Sequence, residues 1–179
     1  MRLKMLDGLL QGAPVSDIQR ILEYRSSFFG APFSSFVQTV LRGPSFWSVG
    51  ERELFATFAS FKNQCEFCTG AHGAVAALAL NKDIVGAVLR DWHTAPVSEP
   101  VRASLGLLET MMLAPAELGP EDVKPLLALD LSAEAIQDVL AIGALFSMIN
   151  RLADSFEVYV FSPEDFMQAG VYLLNGGYI

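Results

Sequence analysis

Apolar residues recur at intervals of three and four along almost the whole chain, while alternating stretches bounded by hairpin turns are scarce. The three-to-four spacing is typical of amphipathic helices, and alternation would be typical of half-buried strands. We therefore predict an all-α fold. With 179 residues, the chain is expected to be a single domain that buries a core without disulfide bridges.

Proline, glycine and capping residues divide this pattern into helices. Ser48 and Glu51 form a capping box, which predicts a helix that runs to Phe61. The next helix is predicted from Cys65 to Leu80 and closed by Asn81. The other predicted helices are Val15 to Tyr24, Phe33 to Leu41, Asp83 to Asp91, Ser98 to Leu113, Glu121 to Leu129, Ser132 to Phe161 and Pro163 to Leu174.

Composition narrows the possible partners. Twelve Lys and Arg against twenty Asp and Glu give a formal charge of −8 without a basic cluster, so nucleic acid is not an expected partner. Apolar runs are too short to span a bilayer, and we expect no membrane association. The high apolar content, 52%, instead favours a homo-oligomer. The N-terminus lacks a convincing signal peptide, which predicts a cytoplasmic protein.

The two cysteines of the chain, Cys65 and Cys68, stand three positions apart, and His72 follows four positions after the second. On a helix, Cys68 and His72 share one face. A helix that begins near Cys65 places both sulfurs in its first turn, where free N–H groups and the dipole lower a thiol pKa. A bridge between these cysteines would close a tiny loop, so a redox role is favoured over a structural one.

Other uses of a Cys-x-x-Cys pair fit less well. A zinc site needs about four ligands, and the chain offers only Cys65, Cys68, His72 and His93. Haem attachment requires a histidine where Thr69 stands, and a thioredoxin-like dithiol would follow a strand. We expect neither a metal nor another cofactor. A redox dithiol on a helical scaffold and a pair of small buried hydrophobic residues both remain open.

Glu53 lies on the preceding predicted helix. If that helix folds back on its successor as an antiparallel pair, the Glu53 carboxylate comes within reach of His72; otherwise it would be a solvated surface acid. His93 is interpreted as structural, and so are the two tryptophans, Trp47 and Trp92. Residues 150–154, with the sequence Asn-Arg-Leu-Ala-Asp, are interpreted as a solvated helix face or an interface ion pair.

The reactive residues occur in a specific register, with eleven residues between Glu53 and Cys65, two between Cys65 and Cys68, and three between Cys68 and His72. This pattern resembles the alkylhydroperoxidase D family of the carboxymuconolactone decarboxylase-like superfamily. From about Phe28 to the C-terminus, flanking segments are similar to its peroxidase-related branch: 42–45 (Arg-Gly-Pro-Ser), 50–54 (Gly-Glu-Arg-Glu-Leu), 63–65 (Asn-Gln-Cys), 71–73 (Ala-His-Gly), 95–98 (Ala-Pro-Val-Ser) and 150–154.

The resemblance implies an alkylhydroperoxidase D-like helical bundle that forms a dimer, trimer or hexamer and reduces a hydroperoxide substrate with an external dithiol reductant. The domain would comprise an N-terminal helical extension (1–45), a dithiol core (46–95) and C-terminal helices (96–179). Cys68 would be the peroxidatic cysteine and Cys65 the resolving one. His72 would take the thiol proton, supported by Glu53.

Phe67 departs from the family pattern, which carries a further histidine between the cysteines, so the proton relay of that pattern is incomplete here. We also expect Phe58, Phe61 and Phe67 to bury Cys68 partly, which would raise its pKa against the effects of the helix start and His72. The sequence leaves this balance open.

Two other functions are considered. One is a non-catalytic, oligomeric protein on the same fold that senses redox state or binds a small ligand. The other is a lyase like the superfamily's decarboxylase, but the cysteine pair argues against that reading because the decarboxylase branch does not generally depend on it.

Overall fold

The computed structural model describes residues 8–9 and 16–179. Within that part of the chain every regular element is helical, which confirms the predicted all-α class. A π-helical segment, Ser26–Gly30, joins the first two α-helices. The α-helices are α1 (Asp17–Tyr24), α2 (Ala31–Arg42), α3 (Val49–Lys62), α4 (Glu66–Ala79), α5 (Lys82–Asp91), α6 (Glu99–Leu113), α7 (Pro120–Leu127), α8 (Ala133–Ser155) and α9 (Pro163–Gly176).

Side-chain caps fix several helix starts where the sequence predicts them. At α3, the Glu51 backbone N–H donates to Ser48 Oγ over 3.2 Å, and the Ser48 N–H donates to Glu51 Oε2 over 2.8 Å. This is the predicted capping box, and it satisfies two N–H groups that the first helical turn leaves free. Ser132 and Ser162 cap α8 and α9 in a similar way with their hydroxyls.

Some predicted helix boundaries are wrong. α8 ends at Ser155 rather than Phe161, because Glu157 adopts a left-handed conformation (φ 51°) and the Val158 N–H turns back to the Ala153 carbonyl. Val158 is nevertheless buried, so the apolar pattern continues beyond the helix. Asn81 caps the start of α5, where it accepts from the Asp83 N–H, and α7 ends at Leu127. The predicted start at Val15 lies outside the described residues.

α3 and α4 pack against each other as an antiparallel pair joined by a tight turn. Gln64 closes the turn in the left-handed conformation (φ 61°), and the Cys65 N–H then donates to the Ser60 carbonyl over 3.0 Å. Almost every residue from Gly50 to Ser60 is buried. The turn therefore places the first cysteine directly beside the most buried helix of the protein.

α8 crosses this pair and also contacts α2 and α6. By length and composition α8 is apolar enough to span a membrane, but half of its most apolar stretch is buried within the protein. The expectation that every apolar run is too short to span a bilayer is therefore wrong for α8, whose buried half belongs to the core. Trp47 packs in the same core, where its indole N–H donates to the Ala135 carbonyl over 2.8 Å, as expected for a structural tryptophan.

α4 presents two different faces. The side that carries Phe67, Gly70 and Ala74 packs against α9, so closely that a Cβ on Gly70 would lie 2.4 Å from the Phe166 ring. We call this side the α9 face. The side that carries Cys68 and His72 faces the buried interior toward α3 and α8. We call it the inner face.

Candidate redox site

Cys65 and Cys68 lie at the start of α4. Cys65 is the N-cap residue and Cys68 is in the first turn; their exposed fractions are 0% and 2%. Both are free thiols and lie 3.5 Å apart. A disulfide needs a sulfur separation of about 2.05 Å, so the two cysteines are unbonded in this structure but near enough for local side-chain rotation to join them.

The pKa of Cys68 is raised well above its ordinary value. A hydrogen bond with Cys65 has the largest effect, and burial adds to it because the charged thiolate loses its water. The expectation that the helix start lowers this pKa is therefore wrong for Cys68. The neighbouring thiol and burial thus outweigh the helix start and His72 in setting the pKa of Cys68.

Glu53 meets His72 directly. The antiparallel α3–α4 pair brings His72 Nδ1 to 2.8 Å from Glu53 Oε2, and the carboxylate is fully buried. A carboxylate only accepts hydrogen bonds, so Nδ1 carries the hydrogen and Nε2 is the basic nitrogen of the neutral ring. The edge of the imidazole meets Phe146 with ring centroids 4.6 Å apart, which further restricts its orientation.

Two residues that the sequence reasoning did not place in the site complete this pair. Arg42 Nη1 lies 2.6 Å from Glu53 Oε1, and the Tyr178 hydroxyl donates to the same oxygen over 2.8 Å. The hydroxyl is also 3.1 Å from His72 Nδ1. Arg42, Glu53, His72 and Tyr178 form what we call the acid cluster. Arg42 lies in a segment that resembles the family, whereas Tyr178 has no sequence signal of its own.

The charges of the acid cluster set its ionisation. Burial alone would raise the pKa of Glu53, but the favourable interactions with His72 and Arg42 outweigh burial and hold this pKa below its ordinary value. Burial, followed by the negative charge of Glu53, raises the pKa of Tyr178 well above its usual range. Glu53 is therefore a carboxylate at neutral pH and Tyr178 is a neutral hydrogen-bond donor.

Phe67 points away from the reactive side chains. Its ring packs on the α9 face, with centroids 5.8 Å from Phe161 and 6.0 Å from Phe166. Phe61, which we expected beside Cys68, is 43% exposed. The expectation that aromatic side chains bury Cys68 is therefore wrong for Phe61 and for Phe67. The residue between the cysteines serves as a packing residue between α4 and α9.

We expect that Phe67→His destabilises the protein by about 2–4 kcal/mol, because the ring leaves an aromatic cluster and a polar group becomes buried. The imidazole would lie on the α9 face, so it is not expected to speed oxidation of Cys68. Urea denaturation and the rate of disulfide formation test both parts. A stable variant that oxidises faster would contradict this view of Phe67.

The remaining candidates differ in their surroundings. His93 is largely exposed, stacks on Trp92 with centroids 3.8 Å apart and lies 3.2 Å from an Asp91 oxygen. Arg151 is exposed on α8, as expected for a solvated helix face. Asn150 from the same segment is instead buried beside Ser60 and Asn63. In the described residues, no group of three or more His, Cys, Asp and Glu could hold a metal ion.

The helix order and the buried dithiol on α4 define an alkylhydroperoxidase D-like fold, and solved structures share it. An alkylhydroperoxidase D core described as an uncharacterized peroxidase-related protein from Ralstonia eutropha JMP134 superposes with a TM-score of 0.77 and 24% identity, over 94% of this chain and 86% of that one. An uncharacterized peroxidase-related protein from Silicibacter sp. TM1040 gives 0.77 and 23%, over 86% and 79%.

The debrominase Bmp8 has the same fold, with a TM-score of 0.74 and 18% identity over 87% of this chain and 83% of that one. A Cys-to-Ala variant of Bmp8 has also been solved in complex with 2,3,4-tribromopyrrole. No protein-family model matches the chain, and no curated protein matches it. At these identities the similarity establishes the fold.

Proposed function

We propose that the protein is a thiol-dependent peroxidase that reduces hydroperoxides through a dithiol–disulfide cycle of Cys65 and Cys68. The observation that carries the proposal is the pair of reduced sulfurs 3.5 Å apart at the start of α4, one helical turn before a histidine held by a buried carboxylate. Such a pair can give up two electrons to a peroxide by forming a disulfide, without any rearrangement of the fold.

In the first step His72 Nε2 takes the thiol proton of Cys68. The thiolate sulfur attacks the terminal oxygen of the hydroperoxide, so that an S–O bond forms and the O–O bond breaks. The leaving alkoxide receives the proton from His72 and departs as an alcohol. Cys68 is now a sulfenic acid. Glu53 stabilises the imidazolium that exists during this step, and Arg42 balances the charge of Glu53.

In the second step the Cys65 sulfur attacks the Cys68 sulfur. The S–S bond forms, the S–O bond breaks, and the hydroxyl leaves as water with the proton from Cys65. An external dithiol then restores the two thiols by thiol–disulfide exchange and becomes a disulfide itself. No metal or other cofactor takes part.

The proposed protein is a cytoplasmic homo-oligomer of one domain. A reducing compartment keeps the dithiol available for catalysis. Large apolar side chains on the outer side of α9, Met167, Val171 and Tyr172, are exposed in the single chain, and burial between subunits would remove them from water.

Oxidation by a small amount of hydroperoxide tests the proposal. The reduced protein should rapidly lose two hydrogens in its intact mass, and Cys68→Ser should abolish this change without altering the helical circular dichroism. Cys65→Ser should instead gain one oxygen on Cys68. Oxidation of the natural chain no faster than that of a free thiol would reject the peroxidase assignment. Because of the likeness to Bmp8, 2,3,4-tribromopyrrole is a suitable second substrate.

A redox-sensing role on the same fold is the second candidate. The deep burial and raised pKa of Cys68 weigh against fast catalytic turnover and so toward a non-catalytic role, since both slow the reaction of a thiol with peroxide. A sensor would oxidise once and stop, whereas a peroxidase would consume peroxide continuously in the presence of excess dithiothreitol. Consumption measured over many equivalents separates the two.

A further inference from the structure

Asn150 is a buried polar residue that the mechanism above does not use. It lies on α8, 82 positions after Cys68, and 1% of its surface is exposed. A buried amide must find partners for both its oxygen and its nitrogen, since an unsatisfied polar group inside a protein costs free energy. The hydrogen-bond partners of Asn150 lie at the end of α3 and in the turn that leads to the dithiol.

Two hydrogen bonds determine the orientation of this amide. Asn63 Nδ2 donates to Asn150 Oδ1 over 2.9 Å, and Asn150 Nδ2 donates to Ser60 Oγ over 3.1 Å. Asn63 Nδ2 also donates toward the sulfur of Met112, a weak acceptor, over 3.3 Å. The Asn150 oxygen is therefore occupied, and its nitrogen is directed into the site.

Nδ2 carries two hydrogens, and Ser60 accepts only one of them. The Asn150 side chain acts on Cys68, where it favours the thiolate. Ser60 links the amide to the other cysteine, because the Ser60 carbonyl accepts from the Cys65 N–H over 3.0 Å. Amide and dithiol are thus held in one rigid frame. The hydrogen bond with Cys65 and burial raise the pKa of Cys68, whereas the influence of Asn150 lowers it.

We propose that the Asn150 amide is a catalytic residue that donates a hydrogen bond to the Cys68 sulfur and stabilises the thiolate as it forms. The inference rests on the proposed function, in which that thiolate attacks the peroxide. A fixed donor in a water-free site acts on developing negative charge without having to reorient. His72 removes the proton, and Asn150 stabilises the charge that remains on sulfur.

Alkylation of Cys68 tests this role without peroxide. In full-length protein carrying Cys65→Ser, the rate of Cys68 reaction with iodoacetamide is followed by intact mass between pH 6 and 10. Asn150→Asp keeps the shape and the acceptor for Asn63 but places an acceptor beside the sulfur. Asn150→Leu removes the donor without adding charge. Both should slow alkylation at neutral pH by about 10- to 100-fold and move the profile to higher pH.

Asn175→Asp, on the exposed end of α9, is the matched control and should leave the profile unchanged. Circular dichroism and thermal unfolding show whether each variant is folded. The proposal is overturned if a folded Asn150→Leu variant reacts at the parent rate, even when Asn150→Asp is slow, since the effect would then come from added charge. Because no peroxide is used, failure of the peroxidase assignment would not affect this outcome.

Discussion

Replacement of Glu53 by alanine is expected to lower the free energy of unfolding by about 3–5 kcal/mol. The carboxylate is fully buried and bonds to Arg42, His72 and Tyr178. Its removal leaves the Arg42 charge without its partner in a site that water scarcely reaches, and it leaves the Tyr178 hydroxyl without an acceptor. Most of the loss is therefore the cost of stranding buried polar groups.

Urea denaturation measures this loss. Glu121→Gln is the matched control, because the exposed Glu121 pairs only with exposed Lys124, and we expect a change below about 0.5 kcal/mol. Glu53→Gln should fall between the two, since it keeps the shape but not the charge. If Glu53→Ala lowers the free energy of unfolding by no more than Glu121→Gln does, the acid cluster contributes little to stability.

Glu53 should also make the stability of the fold fall as the pH is lowered. The folded-state pKa of Glu53 lies below the ordinary value of 4.5, so ionised Glu53 stabilises the fold above that value. The contribution is lost as the pH falls below 4.5 toward the folded-state pKa. Stability of Glu53→Gln should therefore decline less steeply with acid than stability of the natural chain.

His72→Gln is expected to slow peroxide-driven disulfide formation by about 10²- to 10⁴-fold, the usual contribution of a positioned acid–base group. Glutamine can still donate toward Glu53, so the variant should fold, but it offers no basic nitrogen to Cys68. Stopped-flow measurement of the reduced protein with hydroperoxide, followed by intact mass, gives the rate.

The second histidine of the chain provides the control. His93 is exposed, and it contacts Asp91 and Trp92. Neither contact involves the dithiol. His93→Gln should therefore keep the parent rate. Equal rates for His72→Gln and the natural chain would exclude His72 as the base, whatever the result for Cys68→Ser.

Local patterns in the sequence predict much of the helical framework. The Ser48–Glu51 capping box, the apolar periodicity of α3 and the small residues of α4 each act within a few positions and predict the two helices. That these helices fold back on each other and bring Glu53 to His72 was left open by the sequence and is seen only in the structure. The end of α8 could not be predicted in this way, because the apolar pattern outlasts the helix and only the left-handed backbone at Glu157 stops it.

The rest of the candidate site comes from distant parts of the chain. Arg42 ends α2, Asn150 lies on α8 and Tyr178 follows α9, so only the packing of these elements brings their side chains to α4. Arg42 and Asn150 lie in segments that resemble the family, but the sequence does not show that their side chains meet α4, and Tyr178 has no signal of its own. Sequence reasoning also weighed a helix start against burial at Cys68 without knowing how deep the sulfur lies.

The reactive groups of α4 and its packing contacts with α9 lie on two different faces of the helix. Contacts with α9 involve Phe67, Gly70 and Ala74, whereas the reactive groups point to the interior. Substitutions in α9 can therefore be compensated by substitutions on the α9 face of α4, while the inner face keeps its residues. Related chains could diverge widely in their last helix and still keep the same dithiol, and protein engineers have the same freedom.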